Sequence, residues 1–148
     1  MKIFMGADHN GFDMKRELLQ TLARAGYDVI DEGDTARDPQ DDFPQFAERV
    51  VRAMRAQQDP ETRGILICGS GQGMCMAANR FKGIRASLIW DVGEARAARN
   101  DDDSNILCLP ARSVTTAEAV RIAEAWLATP FAGAARYKRR IKELDTLG

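Results

Sequence analysis

Residues 64–80 read GILICGSGQGMCMAANR, and the run falls into three pieces. Gly64–Cys68 is a short apolar stretch with the length of a buried strand. Gly69, Gly71 and Gly73 then alternate through a tight turn, and Gly73–Arg80 has helical period. Strand, glycine turn and helix in that order form the unit of a parallel α/β sheet. The same beat continues on either side. Before it come Lys2–Gly6 with Gly11–Ala25, and Tyr27–Asp31 with Pro44–Gln57; after it come Arg85–Trp90 with Gly93–Asn100, and Asn105–Leu109 with Thr115–Ala128. Beyond Pro130, Phe131–Leu144 reads as a last, basic helix. The pattern predicts a doubly wound, Rossmann-like α/β fold: five parallel strands, helices on both faces and a C-terminal basic helix. Short crossovers favour the flavodoxin-type order 2-1-3-4-5. In the first helix Phe12, Leu18, Leu19 and Leu22 share a face while Lys15, Arg16 and Arg24 fall elsewhere, as on a helix that covers a sheet.

At 148 residues, with 45% hydrophobic and 29% charged side chains, the chain has the size and balance of one globular domain spanning residues 1–148. Such a core needs neither disulfide nor structural metal. A formal net charge of −1 gives no general attraction to nucleic acid or an anionic membrane, so any anion binding has to be local. Nowhere do eighteen apolar residues run together, and the opening MKIFMGADHNG lacks the apolar core of a leader, so a cytoplasmic location is expected. Cys68, Cys75 and Cys108 make an odd count without a CxxC pair, which suits free thiols in a reducing compartment.

In the expected order a crevice opens at the carboxyl ends of the first and third strands. Those ends read Ala7-Asp8-His9-Asn10-Gly11 and Cys68-Gly69-Ser70-Gly71-Gln72-Gly73, so topology brings an acid, the only histidine, a thiol and a glycine turn together. The turn is no Walker loop, since Met74-Cys75 follows it where Lys-Ser or Lys-Thr is needed, and no dinucleotide fingerprint, since it is GxGxG after the third strand. What remains is a cradle of backbone N–H groups leading into a helix, suited to an anion or a developing oxyanion. A cysteine is more often an inert core thiol, but at a strand end facing a helix N-terminus Cys68 becomes a usable base or nucleophile. Cys75 and Cys108 lack that setting and read as packing residues. His9 reads equally as turn residue or functional group, and Asp8 also reads as a helix cap. Arg136 and Arg140 share a face of the last helix; exposed arginines are ordinary, yet two on one face can grip a phosphate, and Arg112 follows the fifth strand at the crevice end. Gly33–Asp42, rich in Asp, reads as a surface loop able to serve binding.

These stretches, GADHNGF (Gly6–Phe12), DFPQFA (Asp42–Ala47), GILICGSGQGMCMAANRFKGIRA (Gly64–Ala86), SNILCLPAR (Ser104–Arg112) and RYKRR (Arg136–Arg140), resemble the ribose-5-phosphate isomerase type B family, whose relatives include galactose-6-phosphate isomerase subunits. The resemblance runs from Lys2 to about Glu143. It implies an aldose–ketose isomerase of phosphorylated sugars without metal or cofactor, assembled as a homodimer or dimer of dimers whose sites are shared between subunits. It places the family's thiol base on Cys68, an assisting hydroxyl on Ser70, the Asp-His pair on Asp8 and His9, and the phosphate-binding arginines on Arg112, Arg136 and Arg140. Two positions depart. Phe43 stands where the family usually has Tyr, and Asp101 where it usually has the His that opens a cyclic sugar. Members that use a Glu base carry it at the position of Met74, so the chain is similar to the thiol-based branch.

The chemistry expected is proton transfer between C1 and C2 by Cys68, with the N–H groups of Gly69, Gly71 and Gly73 holding the enediolate oxygen, Ser70 and Asp8 moving hydroxyl protons, and the arginines anchoring phosphate. Ribose 5-phosphate is the expected substrate. An acyclic tetrose phosphate is the alternative, because an aspartate at 101 is a poor proton donor at neutral pH. A non-catalytic sugar-phosphate-binding module, and a subunit active only beside a partner that supplies the missing His, are the readings of other kinds.

Overall fold

A computed structural model describes residues 1–148. The elements run β1 (Lys2–Ala7), α1 (Phe12–Arg24), β2 (Asp28–Asp31), α2 (Phe43–Gln57), β3 (Arg63–Cys68), α3 (Gln72–Ala78), β4 (Ala86–Leu88), α4 (Val92–Asp102), β5 (Ile106–Pro110), α5 (Thr116–Ala128) and α6 (Ala135–Leu144). All strand pairs are parallel. Side chains of β1, β3 and β5 alternate between two cores. Ile3, Met5, Ile65, Ile67, Leu107 and Leu109 pack with α1, α4 and α5. Phe4, Leu66, Cys68, Ile106 and Cys108 pack with α2 and α3 on the opposite face. Strands covered on both faces are predominantly apolar, and β3 and β5 are buried at every position, the one charged residue, Arg63 at the start of β3, donating to the Pro60 and Thr62 carbonyls.

The sheet order is β2-β1-β3-β5-β4, not the expected 2-1-3-4-5. The fully buried β5 takes the inner place beside β3, whereas β4 has three half-buried residues and ends the sheet, as short edge strands do. The exchange leaves the β1–β3 junction as expected. The last helix begins at Ala135 rather than Phe131, because Gly133 adopts a φ of +68° that a helix cannot contain.

Lys15 is also not where amphipathic reading puts it. It is fully buried, its Nζ donating to both carboxylate oxygens of Asp31 (2.9 Å each) and to the carbonyl of Asp34 (2.9 Å). The amine thereby ties α1 to the end of β2 and the start of the Gly33–Asp42 loop. Lys15→Ala removes these bonds and the packing of the buried stem, while Asp31 stays partly solvated and keeps the Gly33 N–H, so the cost is expected to be about 1–2 kcal/mol, read from urea denaturation. The exposed Arg24→Ala is expected to stay within about 0.5 kcal/mol by the same measurement.

Candidate active site

The registers Ala7↔Ile67 and Cys68↔Pro110 set the carboxyl ends of β1, β3 and β5 side by side. Asp8 N–H continues the ladder to the Ile67 carbonyl (3.2 Å). The Asp8 side chain is buried, and one oxygen, Oδ1, accepts both the Asn10 N–H (2.9 Å) and the Gly11 N–H (3.2 Å). Asp8 therefore shapes the turn that precedes α1 but does not cap the helix, whose N-cap is Gly11 with no side-chain cap bond, and its second oxygen takes no part in that turn.

His9 points to a partner that no motif marks. Its backbone N–H (3.1 Å) and its ring Nδ1 (2.7 Å) both meet Oδ1 of Asp41, at the end of the long loop. The Asp41 carboxylate is 5% exposed and the imidazole 31%. A carboxylate only accepts, so Nδ1 carries the proton and Nε2 is left for other partners. The hydrogen bond to Asp41 raises the His9 pKa above its ordinary 6.5; burial opposes this, the charges of Asp41 and Asp8 add to it, and Arg37 subtracts. Asp8, His9 and Asp41 hold donor atoms within 4.8 Å of one another, the one such set able to share a cation, although His9 and Asp41 already satisfy each other.

Cys68 ends β3 on the α2/α3 face, 5% exposed. Its carbonyl accepts the Ala111 N–H and the Gly69 carbonyl accepts the Arg112 N–H, both at 2.9 Å, so the segment after β5 is zipped to the glycine turn. The Arg112 guanidinium lies over Gly69, where a β-carbon would come 3.0 Å from Nε. Gly71 has a φ of +72°, and a β-carbon there would lie 3.2 Å from the backbone of Leu109 and Pro110. Ser70 Oγ accepts the Gln72 N–H at 3.3 Å. The Phe43 ring covers Gly73, a β-carbon there meeting its edge at 2.8 Å. Asp8, His9, Cys68, Ser70 and Arg112 thus gather at three adjoining strand ends.

Asp101, Arg136 and Arg140 do not join them within one chain. Helix α6 packs on α4 at the β4 edge, with β5 between it and the strand of Cys68. Arg140 lines a cavity of about 540 Å³ with Asn79, Arg85, Asp102 and Asp145. Arg136 donates to the Tyr137 hydroxyl (2.9 Å) and feels the charge of Asp101, which itself accepts from Asn100 Nδ2 (2.7 Å). Cys108 is buried as expected of a packing residue, but Cys75 is half-buried and differs. Its sulfur accepts a hydrogen bond from Cys108 and lies 3.5 Å from Asn79 Nδ2, and the Cys108 bond foremost pulls its pKa down to about 7 against the effect of burial.

The family model for ribose/galactose isomerase matches residues 3–144. The chain belongs to that family. It is 38% identical to the ribose-5-phosphate isomerase B of Mycobacterium leprae over 141 residues, covering 95% of this chain and 86% of that one. The crystal structure of ribose-5-phosphate isomerase B from Mycoplasma genitalium with bound ribulose-5-phosphate superimposes with a TM-score of 0.91 at 37% identity, over 97% of this chain and 93% of that one. The Thermotoga maritima ribose 5-phosphate isomerase gives 0.92 at 38% identity, over 99% and 98%. As a ribose/galactose isomerase the chain is an enzyme of the aldose–ketose isomerase class, and the non-catalytic binding module is set aside. No helix is long and apolar enough to cross a membrane.

Because His9 is the only histidine, its ring resonances are unambiguous in NMR. Its titration midpoint is expected above 6.5 and should move back towards that value in Asp41→Asn. The sign for stability follows. A His whose folded pKa is raised contributes fully below 6.5, and the contribution is lost as pH rises through the folded value.

Proposed function

We propose that this isomerase interconverts ribose 5-phosphate and ribulose 5-phosphate through an enediolate, with Cys68 thiolate as the base and no metal. The observation that carries the reading is the gathering of Cys68, Asp8, His9, Ser70 and Arg112 at the ends of β1, β3 and β5. Cys68 takes the C2 proton and returns it to C1. The N–H groups of Gly69, Gly71 and Gly73 face the oxygen on which charge develops, where fixed donors act most strongly in a site shielded from water. Ser70 and Asp8 move protons between O1 and O2, and Arg112 begins the anionic grip. The relative solved with ribulose-5-phosphate supports the choice of a pentose.

The remaining grip comes from a second copy. Arg136 and Arg140 lie at the β4 edge, across β5 from their own Cys68, so we assign them to a partner's crevice in a homodimer or dimer of dimers. The half-buried thiol of Cys75 and the free Cys68 and Cys108 suit the reducing cytoplasm.

A second reading, an acyclic tetrose phosphate as substrate, is favoured by Asp101 alone. In a sugar 4-phosphate the oxygen needed for a furanose is esterified, so no ring-opening group is required. On that reading Asp101→His raises kcat/KM for ribose 5-phosphate and leaves erythrose 4-phosphate unaffected. A parent already faster on the pentose and unimproved by the substitution removes it.

Cys68→Ala is expected to lower kcat for ribose 5-phosphate on the order of 10³-fold with little change in substrate binding, and Arg140→Ala to raise KM. Mixing and reassembling the two variants tests the shared site. Half of the dimers are then mixed and each carries one intact site, so activity returns to roughly a quarter of the parent's. No return of activity places both groups in one chain's site.

A further inference from the structure

An aspartate at the end of a polar surface loop ordinarily turns its carboxylate to water. Asp41 does the opposite. Its side chain is 5% exposed, and the groups bonded to the buried oxygen are the N–H and Nδ1 of His9. Burial of a carboxylate is unfavourable unless hydrogen bonds or an opposite charge compensate it, so the pairing with His9 is what holds Asp41 inward. The loop comes to the crevice already ordered. Lys15 grips Asp31 and the Asp34 carbonyl, Arg49 pairs with Asp34 (3.1 Å), Arg37 pairs with Asp13 (2.6 Å), and Asp41 N–H bonds the Asp38 carbonyl (3.2 Å).

We propose that Asp41 is a positioning residue that presents His9 as the acid opening a cyclic sugar phosphate, the work for which position 101 holds only an aspartate. This rests on the pentose phosphate reading above. Asp101 lies across β5 from Cys68, and an ionised carboxylate has no proton to give. His9 follows Asp8 directly at the end of β1, the strand next to that of Cys68, with 31% of its side chain exposed. The groups whose charges act on it are Asp41 and Asp8, which favour the imidazolium, and Arg37, which opposes it. With Nδ1–H held by Asp41, the second proton of the imidazolium stands on Nε2, free to be delivered.

The proton count closes. As the C1–O4 bond of the furanose breaks, its electron pair stays on O4, which takes the proton from Nε2. The O1 hydroxyl gives its proton to the Asp8 oxygen left free by the turn, and that O–H pair becomes the second C1–O1 bond. The aldehyde now stands beside Cys68, with Asp8 protonated and His9 neutral. During isomerisation Asp8 gives its proton to O1 and recovers, through Ser70, the proton of O2 as C2 becomes the carbonyl. Once the acyclic ketose has left, that proton returns from Asp8 to His9, the donor atoms of the two lying within 4.8 Å of one another. Both groups end as they began, and no outside acid or base is consumed.

The test compares a substrate that closes with one that cannot. kcat/KM is measured as a function of pH for ribose 5-phosphate and erythrose 4-phosphate, with the full-length parent, Asp41→Asn and His9→Gln. Asn keeps an acceptor for Nδ1–H but no charge. The acid must be protonated, so activity on the pentose falls as pH rises through the His9 pKa. In Asp41→Asn this alkaline limb is expected at lower pH, and at mildly alkaline pH the pentose loses about tenfold or more relative to the tetrose. His9→Gln is expected to abolish the limb and to lose the pentose preferentially, which tests the assignment even if Asp41→Asn disturbs the loop. Equal losses on both substrates, or an unmoved limb, overturn the assignment while leaving the isomerase reading intact. A parent inactive on both sugars overturns the substrate reading and this assignment with it.

Discussion

Gly11 has no room for a β-carbon, which would fall 2.7 Å from the Ile67 carbonyl oxygen and closer still to the Ile67 side chain. That contact between the entrance of α1 and the last turn of β3 holds the two strand ends together. Asp8 turns its carboxylate onto the Gly11 N–H from one side, and Cys68 is the next residue after Ile67 on the other. Widening the gap by a methyl group would part the acid and histidine from the thiol. Gly71 does the same for the β3–β5 side, where a β-carbon would run into the Leu88 side chain and crowd the backbone of Leu109 and Pro110, and φ is already positive. Two glycines therefore set the spacing of a candidate site whose side chains belong to three strand ends, and the price of that spacing is a backbone with little tolerance of substitution.

The parts of this arrangement visible in the sequence are those set by local rules. Buried strands, helix period and glycine turns are short-range signals, and they place all eleven elements and the junction where Asp8, His9 and Cys68 meet. The order of β4 and β5 is not local. It depends on which strand has the apolar surface for an inner position, and Ala86-Ser87-Leu88 against Ile106-Leu107-Cys108-Leu109 is the only clue, legible from length and composition once the question is asked. Lys15 misleads because helical periodicity treats every lysine as a solvent face, whereas this one finds three acceptors 16 and 19 residues away. Asp41 is hidden for the same reason. Its contact with His9 spans 32 residues and depends on the path of a loop without periodicity, though the density of Asp in Gly33–Asp42 marked the segment as unusual.

That loop shows how charge does structural work without stabilising much by itself. Arg37–Asp13 and Arg49–Asp34 are exposed pairs, each worth well under about 1 kcal/mol in water. Lys15 is different because its amine is removed from water and every proton is matched by an acceptor, so losing any one leaves an uncompensated group. The order of the loop thus depends on one buried amine near its start and one buried carboxylate near its end, with the exposed pairs steering the path between. Function is coupled to this order because the carboxylate at the far end acts on His9.

The exchange of β4 and β5 bears on the placing of the last helix as much as on topology. With β5 inside, β4 becomes the edge, and the helices carried there, α4 and α6, are displaced outward from the junction of β1 and β3. Helix α6 buries none of its residues. A helix so attached presents Arg136, Arg140 and the neighbouring Asp101 away from its own thiol, whatever rotamers the side chains adopt. Helix α4 also runs back from the carboxyl end of β4 to the amino end of β5, so Asp101, in its last turn, stands at the opposite end of the sheet from Cys68. The edge position of a three-residue strand and the return of α4 together separate the Cys68 thiol from the basic helix. The net charge of −1 thus conceals a basic helix at the β4 edge and, by the ends of β1 and β3, the carboxylates of Asp8 and Asp41.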